Sequence, residues 1–209
     1  MDRRDFLKKA AMGAAAITLA AAIPASVKAM IENNEKKNDK QMKKIVILNG
    51  SPRKNGKTAS LVKAFSEGAQ SAGHEVRELY LPGMNINGCA ACEACSQNGG
   101  HCVQQDNMAR VYEAYEWADV VVLASPEFWG TVSGQLKIVV DRLYAEINKL
   151  GMNGFRRDMV LIMTARGDDY SQALDFYHIF TEIIGCRNLG TILGAGKEEE
   201  ARQLGASIK

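Results

Sequence analysis

Apolar residues change their spacing several times along this chain, and the changes mark out its elements. Short unbroken runs rich in β-formers stand at 45–48, 119–124 (DVVVLA) and 159–164 (MVLIMT), each as long as a strand buried on both faces. Weaker runs at 75–81 and 188–193 complete five predicted strands. Between them, apolar positions recur at helical spacing over 58–72, 108–117, 134–150 and 170–185, and a short last helix is expected at 197–204. Strands alternating with helices of this length build parallel βαβ units, so the pattern predicts an α/β fold, a doubly wound parallel sheet with helices on both faces. Ligands of such sheets bind outside the carboxyl ends of the strands, where strand order reverses. The loops after strands one, three and four are therefore the places to search.

Upstream of the first strand the pattern is different. Residues 1–9 carry Arg3, Arg4, Lys8 and Lys9, residues 10–23 are uncharged and mostly alanine, and 24–29 read PASVKA. This is the order of an export signal, with cleavage expected after Ala29. The stretch DRRDFLK at 2–8 resembles a twin-arginine signal, with Asp2 where Ser or Thr is usual. An amphipathic helix or a weak anchor is the alternative, but the apolar stretch is short and alanine-rich for a membrane span, so no stable span is expected after cleavage. Residues 30–42 are polar, without apolar periodicity, and read as a tether. The expected organisation is thus signal 1–29, tether 30–42 and one folded domain 43–209, exported to the periplasm or another extracytoplasmic space.

Charge follows from that division. The 209 residues hold 26 basic and 24 acidic side chains, a net +2. Residues 1–29 account for five of the basic and two of the acidic ones, leaving 21 against 22. The basic excess belongs to the signal, and no nucleic-acid footprint remains.

The loop after strand one, Asn49 to Thr58, reads NGSPRKNGKT and runs into a helix. Ser51, Asn55, Gly56 and Thr58 offer backbone amides and small polar groups, Arg53 and Lys57 add charge, and the helix start adds its positive end. A phosphate cradle is expected. A nucleotide-hydrolysing P-loop needs four residues between its glycines, whereas five separate Gly50 from Gly56. GSPRKNGKT is similar to the FMN-phosphate loop of the NADPH-dependent FMN reductase and iron–sulfur flavoprotein family, with Lys57 where that family usually has Asn. The resemblance implies a flavodoxin-like sheet of order 2-1-3-4-5.

A second stretch carries the same resemblance. Strand three ends in Ser125, Pro126, Glu127, Phe128, Trp129 and Gly130, followed by TVSGQLK and later Asp141-Arg142. An aromatic pair at the mouth of a parallel sheet suits a flat conjugated ring, and the stretch resembles the family's flavin-wrapping segment, with Phe128 in place of a tyrosine. An aromatic patch for subunit packing is compatible, and the resemblance implies a homo-oligomer. After strand four, Arg166 and Gly167 are either a cation and a close backbone approach at the flavin edge or a solvated turn.

After strand two come Cys89, Cys92, Cys95 and Cys102, four thiols within fourteen residues. Thiolates in such number bind iron–sulfur or zinc. Zinc usually takes two separated CxxC knuckles, and an oxidising compartment also permits disulfides or redox thiols. The spacing matches the compact motif of iron–sulfur flavoproteins, which implies a [4Fe–4S] cluster. Cys186 stands alone as a buried thiol, and His74, His101 and His178 form no cluster.

The resulting expectation is an exported FMN oxidoreductase, the flavin itself carrying the chemistry, that passes electrons between a small-molecule or protein redox partner and an acceptor such as a quinone. NAD(P)H is the donor the resemblance implies, whereas export favours a protein or quinone donor. A flavodoxin-type carrier, a reductase without a cluster, and a metal or redox-thiol module are the other readings.

Overall fold

A computed structural model describes residues 41–209; the signal and all but the end of the tether lie outside the described residues. In chain order the elements are β1 (Lys44–Asn49), α1 (Lys57–Ser71), β2 (Glu75–Tyr80), a 3-10 turn (Leu81–Gly83), α2 (Ala94–Gln97), α3 (Met108–Trp117), β3 (Val120–Phe128), β4 (Thr131–Val132), α4 (Gly134–Arg142), α5 (Tyr144–Phe155), β5 (Asp158–Thr164), α6 (Ser171–Ile184), β6 (Asn188–Leu193) and α7 (Glu198–Ser207). The parallel strands lie in the order β2-β1-β3-β5-β6, and β4 pairs antiparallel with the end of β3. Once that two-residue strand is set aside, the order is the flavodoxin-like one expected.

Alternation along the strands divides the core. Ile45, Ile47, Val120, Val122, Val160 and Ile162 face α1 and α7, while Val46, Leu48, Val121, Leu123, Leu161 and Met163 face α3, α4 and α6. All twelve are fully buried, each contributing on the order of 1.5–3 kcal/mol by leaving water. Central strands with no solvent face need no polar alternation, which is why they read as unbroken apolar runs.

Two expectations are corrected. The helix expected over 134–150 is two helices. The Leu143 amide is shared between the carbonyls of Val139 (3.0 Å) and Val140 (3.2 Å), a tightened last turn, and the chain re-enters helix at Tyr144. Neither proline nor glycine marks the break, so the apolar spacing passes through it unaltered. The segment expected as a loop after residue 124 instead continues as strand to Phe128 and turns back through Trp129 and Gly130 into β4.

Helices α1 and α7 meet backbone to backbone. A Cβ on Gly68 would stand 2.0 Å from the Arg202 carbonyl oxygen, and one on Gly205 would stand 2.2 Å from that of Phe65. Glycine is required at both for close approach rather than for an unusual φ. Replacing a mid-helix glycine by alanine ordinarily stabilises by about 1 kcal/mol. Here the sign reverses: Gly68→Ala should destabilise by about 1–3 kcal/mol, read as a lower urea midpoint with an unchanged slope.

Candidate functional site

The parallel register brings the ends of β1 and β5 within two residues of one another along β3. Asn49 stands beside Ala124, and Pro126 beside Thr164. The Gly50 amide bonds the Ala124 carbonyl at 2.8 Å, and the Ser133 hydroxyl donates to the Gly50 carbonyl, also at 2.8 Å. A Cβ at Gly50 would lie 2.6 Å from that hydroxyl, so only glycine fits. The buried Asn49 side chain then shapes the loop: its Oδ1 accepts from the Ser51 amide (3.0 Å), and its Nδ2 donates to Glu78 (2.7 Å). Tyr80 donates its hydroxyl hydrogen to the Pro52 carbonyl at 3.0 Å.

The loop delivers the chain into α1 at Lys57, where no side chain caps the helix and no acidic residue sits in the first turn. The first amides of a helix lack intrahelical partners and carry the positive end of its dipole. Thr58 is pinned by a hydroxyl pair with Thr164 at 2.7 Å, tying the helix start to the end of β5. A cavity of about 480 Å³ opens there, lined by Ser51, Pro52, Arg53, Gly56, Lys57, Thr58, Pro126, Glu127, Phe128, Thr164, Ala165 and Arg166. Arg53, Lys57 and Arg166 outnumber Glu127, whose carboxylate already accepts the Gly130 amide. Uncapped amides, hydroxyls and excess cations suit this cavity to an anion.

Nine of the thirteen residues expected at the cofactor line this cavity. Trp129 and Gly130 line a neighbouring one of about 480 Å³ that shares Glu127 and lies against the start of α6. Asn55 and Gly167 line neither; both are exposed. Thr164 was missed, although its place at the end of a strand beside the loop after β1 was the available signal. The turn between β3 and β4 has two central residues, Trp129 (φ 54°) and Gly130 (φ 76°). Positive φ at both is the mirror-image turn that matches strand twist. A tryptophan there costs on the order of 1–3 kcal/mol, and the residue is 99% exposed.

The cysteine loop is built differently. Cys89 and Cys92 are exposed, Cys95 and Cys102 half-buried, and all are free thiols. Ala91 (φ 49°) and Glu93 (φ 55°) take left-handed conformations between them. Among the described residues no three ligating side chains are gathered at single-ion distance. Burial pushes the Cys95 thiol up, and like-charge repulsion from Cys102, Cys89 and Cys92 adds to the rise. Four thiols within fourteen residues of one loop are, by their chemistry, a donor set suited to a polynuclear group.

The neck of this loop is held by an ion pair between Arg142, at the end of α4, and Asp106, with both side chains 1% exposed. Arg142 Nη1 donates to Asp106 Oδ2 and to the Asn87 carbonyl, both at 2.8 Å, and Nη2 donates to Asp106 Oδ1 at 3.2 Å. Asp106 also accepts the amides of Asn87 and Met108, each at 3.0 Å. Burial alone would raise its carboxyl, but these donors win and hold it at about 2. Glu146, buried on α5, goes the other way: burial, reinforced by the charge of Glu116, pushes it up to about 7. Cys186 is half-buried and its thiol raised by burial. His74 is satisfied structurally, accepting from the Lys43 amide and donating to the Ile208 carbonyl.

The chain resembles known proteins in sequence and in fold. A family model described as NADPH-dependent FMN reductase matches residues 43–193. An iron–sulfur flavoprotein of Archaeoglobus fulgidus is 36% identical over 49% of this chain and 46% of its own length. One from Methanocaldococcus jannaschii is 35% identical over 51% and 53%. The chain thus spans about half the length of these curated relatives. Among solved structures, the NAD(P)H:quinone oxidoreductase of Methanothermobacter marburgensis superposes with a TM-score of 0.62 at 19% identity, over 79% of this chain and 96% of that one. At that identity the likeness is one of fold.

The two perturbed carboxyls bend the stability profile in opposite senses. Asp106, lowered from 3.8 to about 2, contributes about 2 kcal/mol above pH 4, and this is lost as pH falls through 2. Glu146, raised from 4.5 to about 7, contributes fully below pH 4.5, and its contribution is lost as pH rises through 7. Urea midpoints against pH should show Asp106→Asn flattening the acid limb and Glu146→Gln the neutral one.

Proposed function

The chain belongs to the NADPH-dependent FMN reductase family, and from that premise we propose that it is a flavin-dependent oxidoreductase holding FMN at the carboxyl ends of β1, β3 and β5. The observation that carries this reading is the cationic cavity at the uncapped start of α1, whose rim bears the aromatic side chain of Phe128. FMN would supply electron transfer in single or paired steps. The amides that open α1, the Ser51 and Thr58 hydroxyls and the charges of Arg53 and Lys57 hold its phosphate. Phe128 and Trp129 offer flat apolar surface to the ring, and Arg166 sets positive charge at the end of β5. Glu127, through the Gly130 amide, holds the hairpin in register.

The finer reading is of an exported iron–sulfur flavoprotein. It is supported by the signal-like residues 1–29, by the four thiols of one loop, and by the names of the relatives just described. Cys89, Cys92, Cys95 and Cys102 would hold a [4Fe–4S] cluster, which moves electrons singly to or from a redox partner. The twin-arginine route carries folded proteins, which suits cofactors inserted before export. Outside the cytoplasm soluble nicotinamide is scarce, so a protein or quinone is the proposed electron partner. Ile179 and Ile183, exposed one turn apart on α6, favour assembly with a second copy.

Residues 30–209, purified without oxygen, should carry bound FMN in the visible spectrum. Arg53→Ala and Lys57→Ala should each weaken FMN affinity about tenfold or more in a fluorescence titration, since one charge-assisted hydrogen bond is worth about 1.5–3 kcal/mol. Unchanged affinity in both variants would remove the phosphate assignment. The partner reading is checked separately by stopped flow: NADPH should reduce the flavin slowly even at high concentration, and rapid reduction at low concentration would overturn it.

A further inference from the structure

The buried guanidinium at the neck of the cysteine loop does more than close a salt bridge. Its Nη2 also donates to Cys102 Sγ at 3.4 Å. Among the described residues Cys102 alone of the four clustered thiols receives a side-chain hydrogen bond at sulfur. The same guanidinium reaches the Asn87 carbonyl, ahead of the first cysteine, and Asp106, just after the last. One side chain therefore grips both ends of the loop and one of its sulfurs.

We propose that Arg142 is a positioning residue for the thiolate set, fixing Cys102 by an N–H···S bond and raising the reduction potential of the group those thiolates hold. The role rests on the iron–sulfur reading above. Adding an electron to a thiolate-bound cluster increases negative charge on its sulfurs. A donor aimed at one of them favours the reduced form, more so where water is excluded. Asp106 limits the effect because its carboxylate neutralises part of the guanidinium charge. The two residues should thus shift the potential in opposite directions. A purely structural ion pair would instead change the amount of cluster retained and leave its potential alone.

Lysine at this position would keep the charge but lose the planar fork that reaches Asp106 and Cys102 together. The test is an anaerobic redox titration of the iron-loaded protein, with iron and sulfide analysis, on wild type, Arg142→Lys, Arg142→Met and Asp106→Asn. Wild type should contain iron and sulfide in cluster stoichiometry. Arg142→Met, and to a smaller degree Arg142→Lys, should lower the cluster potential by the equivalent of about a tenfold loss of the reduced form relative to the oxidised, or 59 mV for one electron. Asp106→Asn should raise it, and the flavin potential should stay unchanged throughout. An iron-loaded Arg142→Met with the wild-type potential would overturn the role. If that variant keeps no iron, Asp106→Asn decides: an upward shift supports the role and an unmoved potential defeats it. Wild type free of iron and sulfide would sink the iron–sulfur reading and this role with it, an outcome distinct from a loaded cluster indifferent to Arg142.

Discussion

In-register parallel pairing of β1, β3 and β5 puts Asn49 beside Ala124 and Pro126 beside Thr164, and the candidate site follows from that alignment. Parallel strands all release their chains on the same side of the sheet. The loop after β1, the aromatic hairpin and the Arg166 turn thus share a rim although more than a hundred residues separate the first from the last. Side-chain hydrogen bonds then fix details of the rim. Ser133 reaches the Gly50 carbonyl, Thr58 meets Thr164, and Asn49 braces Ser51. Each joins groups that the register had already brought within reach.

The loop after β1 and the cysteine loop are stabilised by different means. The loop from Gly50 to Gly56 is short and stitched to its strand by neutral and amide hydrogen bonds, with its charged groups left at the cavity. The cysteine loop is long and buries little apolar surface. Its ends are held by one ion pair withdrawn from water, together with the hydrogen bonds that join Asn85 to Asn107 and Asn87 to Asp106. Such a pair adds little net stability, but losing one partner leaves a buried charge uncompensated, at a cost of about 3–5 kcal/mol. The neck of that loop therefore tolerates change poorly, while Cys89 and Cys92 stay open to solvent.

Much of this was legible in the chain. The runs at 45–48, 119–124 and 159–164 gave the central strands because a strand covered on both faces has no polar positions to interrupt it. The loop from Gly50 to Thr58 was readable because glycine, cations and a helix start fall in sequence there. What escaped were pairings across long separations. Thr164 matters only because Thr58 lies opposite it, and Arg142 only because Asp106 and Cys102 lie in a loop before it. The aromatic pair was noticed, but not that Trp129 occupies a left-handed position usually left to glycine, since a two-residue hairpin is specified by backbone twist rather than side-chain pattern. The break at Leu143 left no local mark at all.

The close seam between α1 and α7 bears on how the rim comes into being. Helix α1 presents its amino end to the anion cavity and its flank to α7, with Glu67 paired to Arg202, 135 residues downstream. The family match ends at residue 193, before α7 begins. One flank of the helix is therefore sealed only after a long chain segment has been closed, and contacts of that separation form slowly. An anion at the front of α1 and the seal along its flank order the same fifteen-residue rod. Whichever comes first lowers the entropy still to be lost by the other, so occupancy of the rim and closure of the chain reinforce one another.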